Sequence, residues 1–451
     1  MYIRSLKIQS LRCFDNVELD FQYPGRKGFE VLKAPNVNLL LGNNGAGKTT
    51  ILRAAALATL APVLPRSSGY RSNHMIRHGE ASGIAEAEVE LHPQDLGNVS
   101  IGSLQQQDQV LVSTTSKEGD EEYLESMSTV PHLKEMFNQR SPGFLIVGYG
   151  ASRRVQDSAA FSSSEQSKLR HFRYQRVAGL FEPYLPLTPL TTWLPQLKKT
   201  NRAQYTKVVQ LIDKLLPEND NFDGSQEKEP YGEYLFQING ESTPFSAVSD
   251  GYRAYIGWVA DLLSHISAGA VKNANLTDYR GVVLVDEIDS HLHPEWQRTV
   301  ISTVSTNLPN LQFIFSTHSP IVAGSLEKEN IFVMETQSGG KSRVVQYTER
   351  IYGMDAQQVL LSPYFGLETT RAPGFVDEVQ QLSKQLKPGH PEIALQMMRK
   401  MTGDAEPAPT RARRITRAQF LARKVRKGLA LAAGKAAAAK PAAKKKTRRR
   451  K

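Results

Sequence analysis

The sequence is poor in cysteine: Cys13 is its only one, which excludes an internal disulfide and a cysteine-based zinc site. It also lacks a long apolar run. Its apolar stretches, such as residues 144–147, have the length of a strand, far below the ~20 residues that cross a bilayer. The first residues contain no continuous apolar segment of the signal-peptide type. We therefore expect a cytoplasmic protein with no membrane partner.

Acidic residues are missing from the C-terminal segment 411–451, which holds 17 Lys or Arg residues and no Asp or Glu. Since the whole chain carries +11, the residues before this segment carry a net charge of −6. This composition predicts a disordered tail that binds nucleic acid phosphates through its charge. Phe420 is its one aromatic residue, so base stacking is not expected. A solubilising end and a contact with anionic lipids are the alternatives.

Apolar strands alternate with helices along much of the chain, which predicts an α/β fold with a mixed, largely parallel sheet. The stretches "VNLLLG", "GVVLVDEID" and "LQFIFSTHS" have the pattern of buried strands. We divide the chain into an α/β half with an antiparallel insert (1–154), a helical insertion (155–245), a second α/β half (246–350), a helical extension (351–403) and a low-complexity basic tail (404–451).

A glycine-rich loop follows the first of these buried strands and opens a helix. "GNNGAGKTT" matches the phosphate-loop pattern Gly-x-x-x-x-Gly-Lys-Thr in full. Its backbone N–H groups are expected to surround the phosphates of ATP, with Lys48 on the β/γ charge, the Thr49 hydroxyl on Mg²⁺ and Thr50 near the α-phosphate. The predicted ATP-binding residues are Gly42, Asn43, Asn44, Gly45, Ala46, Gly47, Lys48, Thr49 and Thr50.

Polar residues end two further buried strands. Asp286 is predicted to ligate Mg²⁺ together with Thr49, and Glu287 to polarise the attacking water as a general base. His318, at the end of the next strand, is predicted to donate to the γ-phosphate. A zinc site at His291 and His293 is disfavoured, since no further ligands stand nearby.

The triplet Ser249-Asp250-Gly251 precedes a long apolar-periodic helix. One interpretation is an ordinary helix cap, with Ser249 or Asp250 accepting from the first N–H groups. In the other interpretation, the first N–H groups of the helix, which have no partner within the helix, bind an anion. The triplet alone does not decide between them.

Together these motifs resemble the ABC-class ATPases that are not transporters, which include the SMC, RecF and OLD proteins. "LVDEID" and "SHLHP" match the acidic motif and the loop after it, "STHSP" matches the histidine switch, and "SDGYR" stands at the signature motif. The resemblance implies that Ser249 and Gly251 act in trans, on ATP held by a second subunit. Asp250 departs from the transporter-type signature and is unfavourable beside a phosphate.

The stretches "VGYGASRR", "LFEPYLPLTPLTTWL" and "IYGMDAQQVLLSPYFGLETT" look more specifically like the ATPases of bacterial antiviral defence operons, of the Septu and OLD-like kind. This resemblance implies an ATP-dependent homodimer or higher oligomer that controls a separate effector. The OLD-like resemblance implies a nuclease. Because the Asp-x-Asp metal pair that the fused OLD nuclease needs does not follow His318 in this chain, that nuclease is expected to be the separate partner. The alternative is a DNA-repair or DNA-clamping ATPase of the RecF or SMC kind.

Overall fold

The computed structural model describes residues 1–27, 32–60, 75–92, 95, 109–118, 121–128, 145–153, 155, 172–183, 185–218, 220–227, 232–268, 275–385 and 391–402. The predicted basic tail lies outside these residues. One compact unit comprises Met1–Thr370 and a second begins at Arg371.

The strands alternate with helices as the apolar pattern indicates. In chain order the strands are β1 (Tyr2–Leu11), β2 (Phe14–Asp20), β3 (Val37–Gly42), β4 (Ser82–Glu90), β5 (Gln109–Glu118), β6 (Glu121–Ser128), β7 (Leu145–Tyr149), β8 (Leu235–Ile238), β9 (Glu241–Pro244), β10 (Gly281–Val285), β11 (Leu311–Thr317), β12 (Ile331–Thr336) and β13 (Ser342–Val345). The helices are α1 (Lys48–Leu60), α2 (Phe172–Gln175), α3 (Ala178–Phe181), α4 (Leu190–Thr200), α5 (Arg202–Leu215), α6 (Asp250–Ala268), α7 (Pro294–Gln297), α8 (Val300–Asn307), α9 (Pro320–Ala323), α10 (Ala356–Leu361), α11 (Pro373–Lys384) and α12 (Pro391–Thr402).

Two sheets form the first unit. The six-stranded sheet has the order β13-β12-β3-β11-β10-β7, and every neighbouring pair in it is parallel except β12 with β13. The five-stranded sheet, β2-β1-β4-β5-β6, is antiparallel. The predicted mixed, largely parallel sheet is therefore confirmed, with the antiparallel part forming a separate sheet.

Apolar side chains cover both faces of the parallel sheet, because successive residues of a strand point to opposite faces. On β10, Val282 and Leu284 join the core beneath α1 and the antiparallel sheet, whereas Val283 and Val285 join the core shared with α5 and α6. This two-sided burial explains the continuous apolar runs of the sequence. It leaves the strand ends as the places where polar side chains meet solvent.

A buried amide joins the two sheets. Gln312, on β11, donates to the carbonyl oxygens of Ile3 at 2.7 Å and Gln22 at 3.0 Å. Its own amide oxygen accepts from the Ile3 N–H at 2.8 Å. The side chain is fully buried, so each of these bonds satisfies a group that water cannot reach.

The predicted helical insertion also contains a hairpin. Strands β8 and β9 pair antiparallel across the two-residue turn Asn239-Gly240, in which both residues have positive φ, 54° and 87°. Asn-Gly is the sequence favoured by this turn type. The prediction of a mostly helical segment was incomplete here, because the strands β8 and β9 are too short to give a clear alternation of apolar and polar residues.

In the second unit, α11 and α12 contact each other, and Lys400 forms an ion pair with Glu378. Among the described helices of the whole chain, none is both long and apolar enough to cross a membrane.

Candidate functional site

The glycine-rich loop lies between the end of β3 and the start of α1, at the carboxyl edge of the parallel sheet. A Cβ on Gly42 would stand 2.7 Å from the Met334 carbonyl oxygen. Gly47 has a φ of +103°, and a Cβ there would stand 2.5 Å from the Cys13 sulfur and 2.6 Å from the Phe14 ring. Both positions therefore require glycine, which brings the loop backbone close to its neighbours.

Lys48 points back across this loop. Its Nζ donates to the carbonyl oxygens of Gly42 at 2.8 Å and Asn43 at 3.1 Å, and lies 2.7 Å from Nε2 of His318. Burial lowers the pKa of Lys48, and the nearby carboxylates of Asp286 and Glu287 partly oppose that shift. Burial and the Lys48 charge lower the pKa of His318 below its usual value, which favours the neutral imidazole that can accept from Lys48.

Thr49 and Asp286 meet beside the loop. The Thr49 hydroxyl donates to Oδ2 of Asp286 at 2.7 Å, while Oδ1 of Asp286 accepts from the Ser316 hydroxyl. A hydroxyl and a carboxylate are hard oxygen donors of the kind that Mg²⁺ prefers when phosphate and water complete its shell. No cluster of three or more His, Cys, Asp or Glu side chains able to hold a metal occurs in the described ranges. The donor set thus fits a magnesium ion shared with a nucleotide.

Glu287 adopts an unusual backbone conformation directly after Asp286. Its φ is +49°, in the left-handed region, and its N–H donates to the Ser316 hydroxyl at 2.8 Å. The Ile288 N–H donates to the Ser316 carbonyl at 2.9 Å, so one residue of β11 holds two consecutive amides. We call the turn that begins with Asp286 and Glu287 the acid turn. These two hydrogen bonds hold it against β11.

Most of the predicted residues line one cleft of about 230 Å³. They are Asn44, Gly45, Gly47, Lys48, Thr49, Thr50, Asp286, Glu287 and His318. Gly42 and Asn43 line the adjoining cleft together with His318, and Ala46 is fully buried behind the loop. Arg12 and Cys13, which the sequence reasoning did not select, complete the first cleft. The structure therefore brings the phosphate loop, the two acidic residues and the histidine together.

Ser249 and Gly251 lie elsewhere, at the start of α6, and neither is among the residues lining this cleft. Ser249 is exposed, and its hydroxyl makes no hydrogen bond to the described part of the chain, so a side-chain cap is not seen. The Asp250 carboxylate forms an ion pair with Arg253. A Cβ on Gly251 would stand only 2.1 Å from the His291 carbonyl oxygen, so this glycine packs against the loop after the acid turn.

Comparisons with known proteins show which family the chain matches. A family model described as "AAA domain" matches residues 5–230, half of the chain, and a second, described as "AAA domain, putative AbiEii toxin, Type IV TA system", matches residues 151–323. The Septu protein PtuA of Bacillus mycoides (strain KBAB4) is 24% identical over 370 residues, which cover 82% of this chain and 45% of that protein. The Retron Vc95 probable ATPase of Vibrio cholerae serotype O1 biovar El Tor is 26% identical over 205 residues, 39% of this chain and 38% of that protein.

The chain thus spans less than half the length of these two relatives. Among solved structures, an SMC head bound to the C-winged helix domain of ScpA aligns with a TM-score of 0.44 at 15% identity, covering 76% of this chain and 98% of that one.

Proposed function

Because the chain belongs to the AAA-domain family of ABC-like P-loop ATPases, we propose that it binds and hydrolyses ATP as a molecular switch. The observation that carries the proposal is the single cleft in which the phosphate loop, the acid turn and His318 meet. Each of these groups suits one part of phosphoryl transfer, in which positioning and charge stabilisation dominate catalysis.

The loop backbone and Lys48 would hold the β- and γ-phosphates, which would draw Lys48 away from the carbonyl oxygens of Gly42 and Asn43. Thr49 and Asp286 would hold the magnesium ion, which neutralises charge on the phosphates. Glu287 would accept a proton from the attacking water, and His318 would donate to the γ-phosphate. In this assignment the hydrogen bond between Thr49 and Asp286 already sets the metal ligands side by side.

We further propose that two copies close head-to-tail around ATP. The support is the exposed Ser249 hydroxyl, which lies at a helix N-terminus outside its own chain's cleft. A helix N-terminus with an exposed hydroxyl is suited to a phosphate supplied by another copy. The ion pair with Arg253 compensates the Asp250 charge, which removes the main objection to a phosphate nearby.

The biological role that we propose is control of a separate effector, a nuclease, in bacterial antiviral defence. Its support is the likeness to the Septu protein PtuA and to the retron ATPase. The second candidate is a DNA-clamping ATPase, which the 17 positive charges of residues 411–451 favour. Finding a nuclease that co-purifies with the chain would support the first role over the second.

Glu287→Gln tests the hydrolytic assignment. The amide keeps the shape of the side chain but cannot accept the proton, so we expect turnover to fall by ~10²–10⁴-fold while ATP binding persists. Trapped ATP should then hold a dimer that size-exclusion chromatography detects. Glu295→Gln, on an exposed residue of α7, is the matched control and should turn over ATP normally. Wild-type turnover in Glu287→Gln would remove Glu287 from this role.

Mixing two inactive variants tests the head-to-tail dimer. Lys48→Ala lacks a phosphate ligand and Ser249→Arg blocks the proposed trans contact, so each alone should be inactive. A heterodimer of the two combines one intact Lys48 with one intact Ser249, and we expect the mixture to recover part of the wild-type ATPase rate. A mixture that never exceeds either parent would contradict the trans contact.

A further inference from the structure

A buried arginine lies directly behind the acid turn. Arg153 follows β7 in the stretch Gly150-Ala151-Ser152-Arg153, and its side chain is only 7% exposed. A guanidinium is almost never buried without partners, because it loses its hydration. The hydrogen-bond partners of the Arg153 guanidinium therefore indicate its role.

The partners of Arg153 are main-chain carbonyl oxygens. Its Nη2 donates to the Glu287 carbonyl at 2.8 Å, and its Nη1 donates to the carbonyls of Asp286 and, at 3.2 Å, Gly150. The Asp286 carboxylate is already bonded to Thr49 and Ser316. Arg153 thus contacts the backbone of both acidic residues, whereas other side chains hold the Asp286 carboxylate.

This contact completes the support of the acid turn. Ser316 accepts from the N–H groups of Glu287 and Ile288, and Arg153 donates to the carbonyl groups of Asp286 and Glu287. A left-handed residue other than glycine persists only where its surroundings hold it in place. With a φ of +49°, Glu287 is such a residue.

The chemistry of the side chain explains why an arginine stands here. Its two terminal nitrogens form a rigid fork that can reach two neighbouring carbonyl groups at once, whereas a lysine has a single nitrogen. The loop that contains Arg153 packs closely against the backbone at Gly179, because a Cβ on Gly150 would stand 2.4 Å from the Gly179 carbonyl oxygen.

We propose that Arg153 is a positioning residue for ATP hydrolysis: its guanidinium holds the acid turn in the left-handed conformation that places the Glu287 carboxylate in the phosphate cleft. This inference rests on the proposed role of Glu287 as the general base. Arg153 itself does not line the cleft, so its effect on nucleotide binding should be small.

Steady-state turnover and ATP affinity of Arg153→Met and Arg153→Lys test this role in the full-length chain. We expect ATP affinity within about threefold of the wild type in both variants. Turnover should fall by about 10²-fold in Arg153→Met, the loss that a displacement of ~1 Å can cause, and less in Arg153→Lys, which keeps a charged nitrogen that can reach one of the carbonyl groups. In combination with Glu287→Gln, Arg153→Met should add no further loss, because both changes remove the same function.

Arg176→Met is the matched control, since Arg176 is equally buried at 7%. It should lower turnover only in proportion to any unfolded fraction. If Glu287→Gln is inactive but Arg153→Met turns over ATP like the wild type, the role of Arg153 is overturned and the general-base assignment stands. An additive loss in the double variant would have the same meaning. Wild-type turnover in Glu287→Gln would overturn the general-base assignment and this role with it. If Arg153→Met does not fold, full turnover in Arg153→Lys would overturn the proposal.

Discussion

Replacing Gly251 by alanine distinguishes helix propensity from packing at the start of α6. In an open helical position, alanine is more favourable than glycine by about 1 kcal/mol. At Gly251, however, the new Cβ would stand 2.1 Å from the His291 carbonyl oxygen, and contacts below 3.0 Å essentially do not occur. The two contributions to the free energy of unfolding therefore have opposite signs.

The structure indicates that packing dominates. The distance from the new Cβ to the His291 oxygen must grow by at least 0.9 Å to reach 3.0 Å, and a main-chain atom cannot rotate away as a side chain can. His291 has a φ of +65°, so its loop is already in a restricted conformation. Overpacking of this kind costs about 1–3 kcal/mol, which exceeds or at least cancels the gain in propensity. The displacement also falls on the loop that begins at Glu287.

Thermal melting and steady-state ATPase assays measure the two consequences of Gly251→Ala. We expect a melting temperature that is unchanged or lowered by up to about 3 °C, and turnover reduced by about tenfold or more, since a misplacement of ~1 Å can cost about 10²-fold in rate. Gly374→Ala is the matched control: Gly374 is likewise the second residue of its helix, and a Cβ there meets nothing within 4 Å. If Gly251→Ala is more stable than the wild type and fully active, the proposed packing of α6 on the His291 loop is wrong.

Two further predictions concern charge. Truncation after Thr410 should leave ATP turnover in the absence of DNA unchanged. If ~6 tail charges contact phosphates, the logarithm of the DNA-binding constant should fall with the logarithm of the salt concentration at a slope near −5, and the truncation should flatten that slope. Equal slopes for the full-length and truncated chains on two unrelated duplexes would exclude the tail as the DNA contact. Because the pKa of His318 is lowered in the folded chain, its contribution to stability is present above its unfolded pKa and is lost as the pH falls through its folded value. Denaturant titrations from pH 7.5 downward should therefore show a larger loss of stability in the wild type than in His318→Gln, and identical pH profiles would contradict this.

The sequence alone determined the features that depend on residues close together in the chain. The phosphate loop could be predicted because its glycines, Lys48 and Thr49 act within a few residues of one another, between a strand and a helix that the apolar pattern already indicates. The parallel sheet could be predicted because strands covered on both faces must be apolar throughout. The Asn239-Gly240 hairpin was equally local, and a stricter search for two-residue turns would have found it.

The tertiary structure alone decided the contacts between distant groups that no motif indicates. Arg153 holds carbonyl groups 133 and 134 residues away, at Asp286 and Glu287, and no spacing in the sequence carries that information. Gly251 illustrates the same limit. Its motif suggested a contact with a phosphate of a second subunit, whereas the folded chain adds a close contact with His291 that only the packing of α6 creates. Local patterns specify elements and loops, but contacts between elements depend on how their faces pack, and packing is a property of the whole folded chain.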